Sequence, residues 1–245
     1  MSGANLRWAA SVRSALIWPA IAAAALACAA CRSAPDLKLH YLPGFVPGSM
    51  NVFRPVGIGV MPVAGEMASG RIQVGAVYRT DGTIERKLFV HDVRDVVTAA
   101  IAQCLEGAGL RPAALDASRA DGALPDGVDF VLRTELTALT SNKRFGDRDT
   151  VHGKYFTMDS VVQLKFVVQN RDGQTLLTVE SSGTQREPPA PVGKEEFLPL
   201  ETEPAESLSI ALSKSVGALI LDPKFREIFP LRDSAPGTEP ARSPR

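Results

Sequence analysis

The chain has 245 residues, of which 45% are apolar, 22% charged and 6% aromatic, and its 27 basic side chains balance 27 acidic ones. That length supports one large domain or two small ones with a sizeable core, and the composition excludes a wholly disordered, collagen-like or multi-span membrane chain. Charge neutrality argues against a dedicated nucleic-acid binder, and three cysteines are too few for a disulfide scaffold of this size.

Met1 to Ala27 read as an export segment. Arg7 and Arg13 supply a positive start, no acid precedes Asp36, and the apolar run from Ala15 to Ala27 covers about 13 residues. A spanning helix needs roughly 20. The junction Ala25-Leu26-Ala27-Cys28 resembles a bacterial lipobox, in which cleavage leaves a diacylated cysteine as the new amino terminus. Ala25 stands where Leu is usual, and Cys31, preceded by Cys28-Ala29-Ala30, is a poorer match. A second reading stays open: plain secretion after Ala27 or Ala29, with Cys28 or Cys31 kept as a thiol or disulfide partner. Acylation at Cys28 is preferred, since a cysteine at this junction otherwise has little use. Several acyl chains on one cysteine anchor stably where a single chain is marginal. Ala29, not Asp, follows Cys28, so the usual sorting rule of two-membrane bacteria implies the outer membrane. Cleavage takes away Arg7 and Arg13 and no acid, leaving 25 basic against 27 acidic residues, which does not favour anionic head groups.

Residues 28–54 carry Pro35, Pro43, Pro47, Gly44 and Gly48 without sustained periodicity and read as a flexible tether. Within it, Leu37, Leu39, Tyr41 and Leu42 suit a short edge strand. A single domain is expected over 55–231, and 232–245, rich in Pro, Ser, Ala and Arg, reads as a disordered tail.

In the domain, Val56 to Val63 is an apolar run bounded by Pro and Gly, a buried first strand. Arg71 to Tyr78 alternates, with Ile72, Val74, Ala76 and Tyr78 on one side. Asp81-Gly82 supplies a turn, and Ile84 to Val90 returns as a second arm. Asp92 to Glu106 has Val93, Val96, Val97, Ala100, Ile101, Cys104 and Leu105 at helical spacing, acids in the first turn and Gly107-Ala108-Gly109 after it. Burying its larger apolar residues would contribute on the order of 10 kcal/mol gross, so that face is core.

A short strand over Leu110 to Leu115 and a polar loop from Asp116 to Asp126 come next. Val128, Phe130, Leu132, Thr134 and Leu136 then alternate with Asp129, Arg133 and Glu135. Met158, Val162, Leu164, Phe166 and Val168 repeat the pattern, and Asn170-Arg171-Asp172-Gly173 turns the chain into Gln174 to Thr184. Glu187 to Pro204 is expected to be a long excursion. A closing helix spans Pro204 to Leu221, with Leu208, Ala211, Leu212, Ser215, Val216, Leu219 and Ile220 on one face and Pro223 as its stop, and Phe225, Ile228 and Phe229 form a short apolar flap. Two helices, each with one apolar stripe, need one sheet face to cover. The expected fold is α+β, a two-layer sandwich whose mixed, largely antiparallel sheet carries two main helices on one face.

Residues able to carry chemistry are scattered. There is no phosphate-binding glycine loop followed by Lys-Ser/Thr and no Gly-x-Ser-x-Gly elbow, and Gly57-Ile58-Gly59 lacks the third glycine of a dinucleotide fingerprint. His40, His91 and His152 stand apart, without zinc spacing. His91 reads as a capping or surface residue, and Cys104, on an apolar helix face, as a buried structural thiol. Asp121, Asp126 and Asp129 lack a metal-loop pattern and read as a solvated loop. An enzyme would have to assemble distant groups, such as His91 with Asp149 or Asp159. Ser141 to Asp149 mixes both charge signs around Phe145; its matching acids and exported address favour a strand-to-strand loop over nucleic-acid contact. That loop and Glu187 to Pro204 are the best candidates for touching a partner.

The lipobox, the strand Val56-Gly57-Ile58-Gly59-Val60-Met61-Pro62-Val63, the helix closing in Ala102-Gln103-Cys104-Leu105-Glu106-Gly107-Ala108-Gly109-Leu110, the strand Val128-Asp129-Phe130-Val131-Leu132 and the turn at Asn170 to Gly173 together resemble YajG-type lipoproteins. The likeness covers about Val56 to Ile220 and extends in layout to auxiliary lipoproteins of ABC transport systems and to the TolB amino-terminal domain. The resemblance implies a non-enzymatic protein without cofactor or metal, held on the periplasmic face of the outer membrane by lipid at Cys28. Such a protein would serve as an accessory or binding component of an envelope assembly or transport system, in contact with another envelope protein and not with nucleic acid. The alternative is a periplasmic carrier or chaperone for a lipid or other apolar ligand held between sheet and helices.

Overall fold

Three strands of 17 or 18 residues form the frame on which everything else is laid. The structure, a computed structural model, describes residues 36–45, 52–116, 124–147, 154–191 and 204–232. In chain order the elements are β1 (Gly57–Val60), β2 (Ile72–Tyr78), β3 (Ile84–Val90), α1 (Val93–Gly107), β4 (Arg111–Ala114), β5 (Phe130–Asp147), β6 (Lys154–Asn170), β7 (Thr175–Pro191), α2 (Pro204–Leu221) and α3 (Pro223–Ile228).

The long strands form an antiparallel meander, β5–β6–β7. The other edge of β5 is shared by two partners, each parallel to it. β1 pairs along its beginning, Ile58 opposite Phe130, and β2 along its end, Gly75 opposite Ser141. β4 extends the sheet beyond β1 in parallel, and β3 extends it beyond β2 as an antiparallel hairpin. The α+β expectation with two main helices on a mixed sheet therefore holds.

Alternation explains the core face. On β6, Met158, Val162, Leu164, Phe166 and Val168 are all buried, as their spacing predicts. On β5 the residues buried in the main core are Leu132, Thr134 and Leu136, then Leu139, Ser141 and Lys143, while Val131 is buried on the other face with Met61 and Leu115. The parity changes because a register shift between Leu136 and Ala138 inserts one residue and turns the rest of the strand over. Thr134 is buried with its hydroxyl oxygen unpartnered among the described residues. Replacing it by the isosteric Val removes that desolvated oxygen, so Thr134→Val is expected to raise unfolding free energy by about 1 kcal/mol, measured by urea titration.

α1 and α2 lie over this face. α1 buries Val93, Val97, Ala100, Ile101, Cys104 and Leu105, its predicted stripe apart from the half-buried Val96. α2 is different: besides the predicted Leu208, Ala211, Leu212, Ser215, Val216, Leu219 and Ile220, it also buries Ser207, Ser209, Ile210, Ser213 and Gly217. It is enclosed on more than one side. Toward the sheet it comes close enough at Gly183 that a Cβ there would sit on the Ala211 carbonyl oxygen, and Ser181 Oγ meets Ser215 Oγ at 2.8 Å.

On another side α2 is covered by residues 36–45, part of the stretch expected to be a flexible tether. Leu39 is buried, His40 N donates to Ser209 Oγ at 3.0 Å, and Leu42 N donates to Ser213 Oγ at 2.8 Å. Each hydroxyl also donates back into its own helix, Ser209 to Ala205 O and Ser213 to Ser209 O. The anticipated edge strand is a single bridge, Leu37 to Val90. The tether expectation fails over these residues because leucines at alternate positions find a helix to cover and serines to bond.

The ends of the domain are tied together. Phe53 bridges Leu231, Arg54 N donates to Pro230 O, and Arg232 N donates to Val52 O. Phe53, Phe225 and Phe229 are fully buried and pack edge-on or tilted, with ring centroids 4.4 to 6.2 Å apart. The expected flap is thus α3, whose first turn is capped by the Asp222 carboxylate accepting from Lys224 N and Phe225 N.

Candidate binding surfaces

Cys28, Cys31, Asp121, Asp149 and His152 lie outside the described residues, as do 192–203 of the expected Glu187 to Pro204 excursion. The first part of that excursion is strand: β7 continues to Pro191, and Glu187 stands opposite Met158. The long partner strand β6 keeps backbone pairing available past the point where apolar alternation ends.

The other anticipated loop is also corrected. Ser141 to Asp147 belong to β5, because β6 pairs with them throughout and β2 pairs with Ser141 to Arg144 on the opposite edge. Mixed charge misled the reading: Lys143 is only 8% exposed, yet its ammonium lies 4.4 Å from the Phe156 ring centroid and 5.4 Å from that of Phe145. Cation–π attraction and a buried aliphatic stem let lysine occupy a core-facing position.

The other candidates remain apart. His40 and His91 are exposed, and His91 Nδ1 stands 3.5 Å from its neighbour Asp92. Asp159 accepts from Arg186 Nε at 2.7 Å, so it is engaged across the sheet rather than with His91. Asp126 and Asp129 are exposed, and no group of three potential metal ligands occurs among the described residues.

Cys104 is buried under Tyr41. Burial pushes its thiol up to about 11, against a smaller opposing effect of the hydrogen bond from Tyr41. The Tyr41 hydroxyl is raised as well, by burial first and then by the thiol. The fold thus favours both protonated forms. The thiol's stabilisation is complete below its ordinary value near 9 and is lost as pH rises toward 11, because the unfolded chain ionises first. Denaturant titrations should show stability falling by on the order of 3 kcal/mol across that window, and falling less steeply in Cys104→Ala.

Two surface hollows accompany these groups. One, of about 280 Å³, runs between α1 and the β1–β4 pair and is lined by Val60, Pro62, Thr98, Ala99, Ala102 and Pro112 among others. The second, of about 350 Å³, lies where the β2–β3 turn meets the end of β5 and is lined by Tyr78, Arg79, Thr80, Gly82, Arg144 and Phe145. Sequence reading noticed Arg144 and Phe145 but not their neighbours, which the parallel β2–β5 pairing brings alongside from 66 positions earlier, Tyr78 opposite Arg144.

The outer strand β7 is less inviting. Lys214 Nζ donates to Thr184 O at 3.1 Å and to Gln185 Oε1 at 2.8 Å, and Pro188, Pro189 and Pro191 supply no amide donors. A lysine reaching onto the strand's edge from α2, and prolines within the strand, oppose the addition of another strand.

No family model matches the sequence, and none of the curated proteins matches it. Among solved structures the fold is similar to a Xanthomonas campestris protein of the DUF330 family, at 11% identity and a TM-score of 0.44, over 76% of this chain and 91% of that one. It is also similar to lipoprotein GNA1162 of Neisseria meningitidis, at 14% identity and a TM-score of 0.29, over 54% of this chain and 85% of that one. A minor lipoprotein of Acinetobacter baumannii gives 9% identity and a TM-score of 0.29, over 73% and 99%. All three are bacterial proteins, and the latter two are lipoproteins.

Proposed function

We propose that the mature chain is a YajG-like lipoprotein, acylated at Cys28 and held on the periplasmic face of the outer membrane. There it serves as a non-catalytic accessory component that binds another envelope protein. The observation that carries this reading is the sequence of the amino terminus: two arginines, about 13 apolar residues and then Ala25-Leu26-Ala27-Cys28-Ala29. The domain beginning at Asp36 is consistent with it. Its described histidines, His40 and His91, are exposed and apart and its described cysteine is a buried thiol, which is the chemistry of a scaffold.

The alternative role, carrying an apolar ligand between sheet and helices, is less well supported. That interface is occupied by Leu132, Leu164, Phe166, Leu208 and Leu212, all at most 1% exposed and members of one continuous core. Native density at such an interface leaves apolar ligands to the surface hollows.

Two measurements test the proposal. Intact mass of membrane-extracted protein should correspond to a chain starting at Cys28 plus its acyl groups; the unlipidated mass would sink the anchoring. Crosslinking in intact host cells, with Cys28→Ala as control, should then capture one reproducible envelope protein that the control loses. An empty capture at good crosslinking efficiency would count against the accessory role.

A further inference from the structure

We propose that the hollow lined by Tyr78, Arg79, Thr80, Gly82, Arg144 and Phe145 is a binding site for a phosphate group. Both charged residues among the described residues that line it are arginines, so an anion entering it meets two guanidinium groups and, among the described residues, no lining carboxylate. Guanidinium forks bond phosphate oxygens two at a time, which an ammonium cannot do.

The strand register and the turn set where the backbones of both arginines stand before any ligand arrives. Arg144 lies over the Tyr78 ring, Cζ to centroid 5.5 Å, at a register position fixed by the β2–β5 ladder. Arg79 begins a turn closed by its own amide donating to Thr83 O at 2.9 Å and by Gly82 N donating to Arg79 O at 3.0 Å. The acid of that turn, Asp81, uses one carboxylate oxygen to accept from both Thr83 N and Thr83 Oγ1, at 2.8 and 2.6 Å. Its charge is held within the turn, by Thr83 first and then by a weaker attraction to Arg79. A Cβ at Gly82 would meet nothing within 4 Å, so this side of the hollow is open. Holding the Arg144 guanidinium over the ring in advance reduces the entropy lost on binding.

The volume, about 350 Å³, exceeds a bare phosphate, and Tyr78 and Phe145 give the remaining space aromatic walls. A phosphate ester with an organic substituent fits this chemistry, whether a lipid head group or a small soluble ester. The site does not depend on how or where the chain is anchored, so it can fail while the accessory reading survives, and the reverse.

The test is calorimetric titration of the purified full chain, in neutral detergent at low salt, with inorganic phosphate and separately with a short-chain, water-soluble phosphatidic acid. Saturable binding of at least one probe is expected. It should weaken tenfold or more in the Arg79→Gln, Arg144→Gln double variant and stay unchanged in Arg111→Gln, an exposed arginine on β4. Binding of inorganic phosphate alone points to a soluble phosphate source. Binding only of phosphatidic acid points to a lipid head group. No saturable binding of either probe, or binding that survives the double substitution, overturns the site. If the double variant melts more than a few degrees lower, Arg79→Gln alone, at an exposed turn position, decides the matter by the same criterion.

Discussion

Gly183→Ala should lower the unfolding free energy by roughly 3 kcal/mol or more, although it adds a single methyl group to a strand. The backbone at Gly183 is not in a left-handed conformation, so alanine is not disfavoured by its own dihedrals. The penalty is entirely one of space. The added Cβ would fall on the Ala211 carbonyl oxygen and stand 2.5 Å from Ser215 N, both of them main-chain atoms of α2. No rotamer change relieves a clash with main chain, so the helix must lift from β7. Lifting also strains the buried Ser181–Ser215 hydroxyl pair at 2.8 Å, and Ser181 would then keep only its longer bond to Leu164 O, at 3.5 Å. Ser182→Ala is the control, since Ser182 is exposed on the opposite face and should change stability by less than about 0.5 kcal/mol. Urea unfolding of the three proteins checks the contrast. Equal stability of Gly183→Ala and the parent would show that α2 does not ride this close to the sheet.

Phe225→Ala carries the second large effect, a loss of about 3–5 kcal/mol. Phe225 has no solvent exposure and packs against Phe53 at 5.7 Å and Phe229 at 4.4 Å, centroid to centroid. Its removal leaves a void among rings that cannot close up, because Phe53 is fixed by its amide to Ala108 O and by the bridge to Leu231. The loss should be concentrated where the two ends meet. Hydrogen exchange at the amides of Arg54 and Arg232 should accelerate more than at those of the first half of β6, which pairs with the far end of β5, Thr140 to Asp147, away from the Phe130–Phe229 contact. Uniform acceleration at every amide would mean that the clamp unfolds only with the whole domain.

Where amino-acid pattern reflects a single local cause, the sequence was readable. The stripe on α1, the alternation of β6 and the Asn170–Gly173 turn each follow from one face seeking cover or one turn needing Gly. The misreadings share another origin: two causes acted on one segment. α2 reads as a helix with one apolar face, yet it is covered on a second side, and serine serves there because its hydroxyl can hold passing backbone amides. Lys143 reads as surface, but it is long enough to lie among rings with its charge against their faces. The phosphate hollow was half visible, as Arg144 and Phe145, since its other half arrives through a pairing between segments 66 residues apart.

The union of Phe53 with Leu231 sets an order of events for a chain delivered amino terminus first. β1 waits for β4 and β5, β2 waits for the last part of β5, and Phe53 waits for a residue 178 positions later. The β2–β3 hairpin and the meander β5–β6–β7 can each assemble from neighbours as they emerge, but β1 has no partner until β4 and β5 follow, and the hairpin has nothing to dock on until β5 is complete. Closure therefore comes last and comes from both ends together, so a chain halted before α3 would carry a formed meander and an unsealed amino-terminal half. Such stalled chains, exposing β1 and Phe53, would be the natural prey of proteases, whereas the completed domain offers them no loose amino-terminal strand.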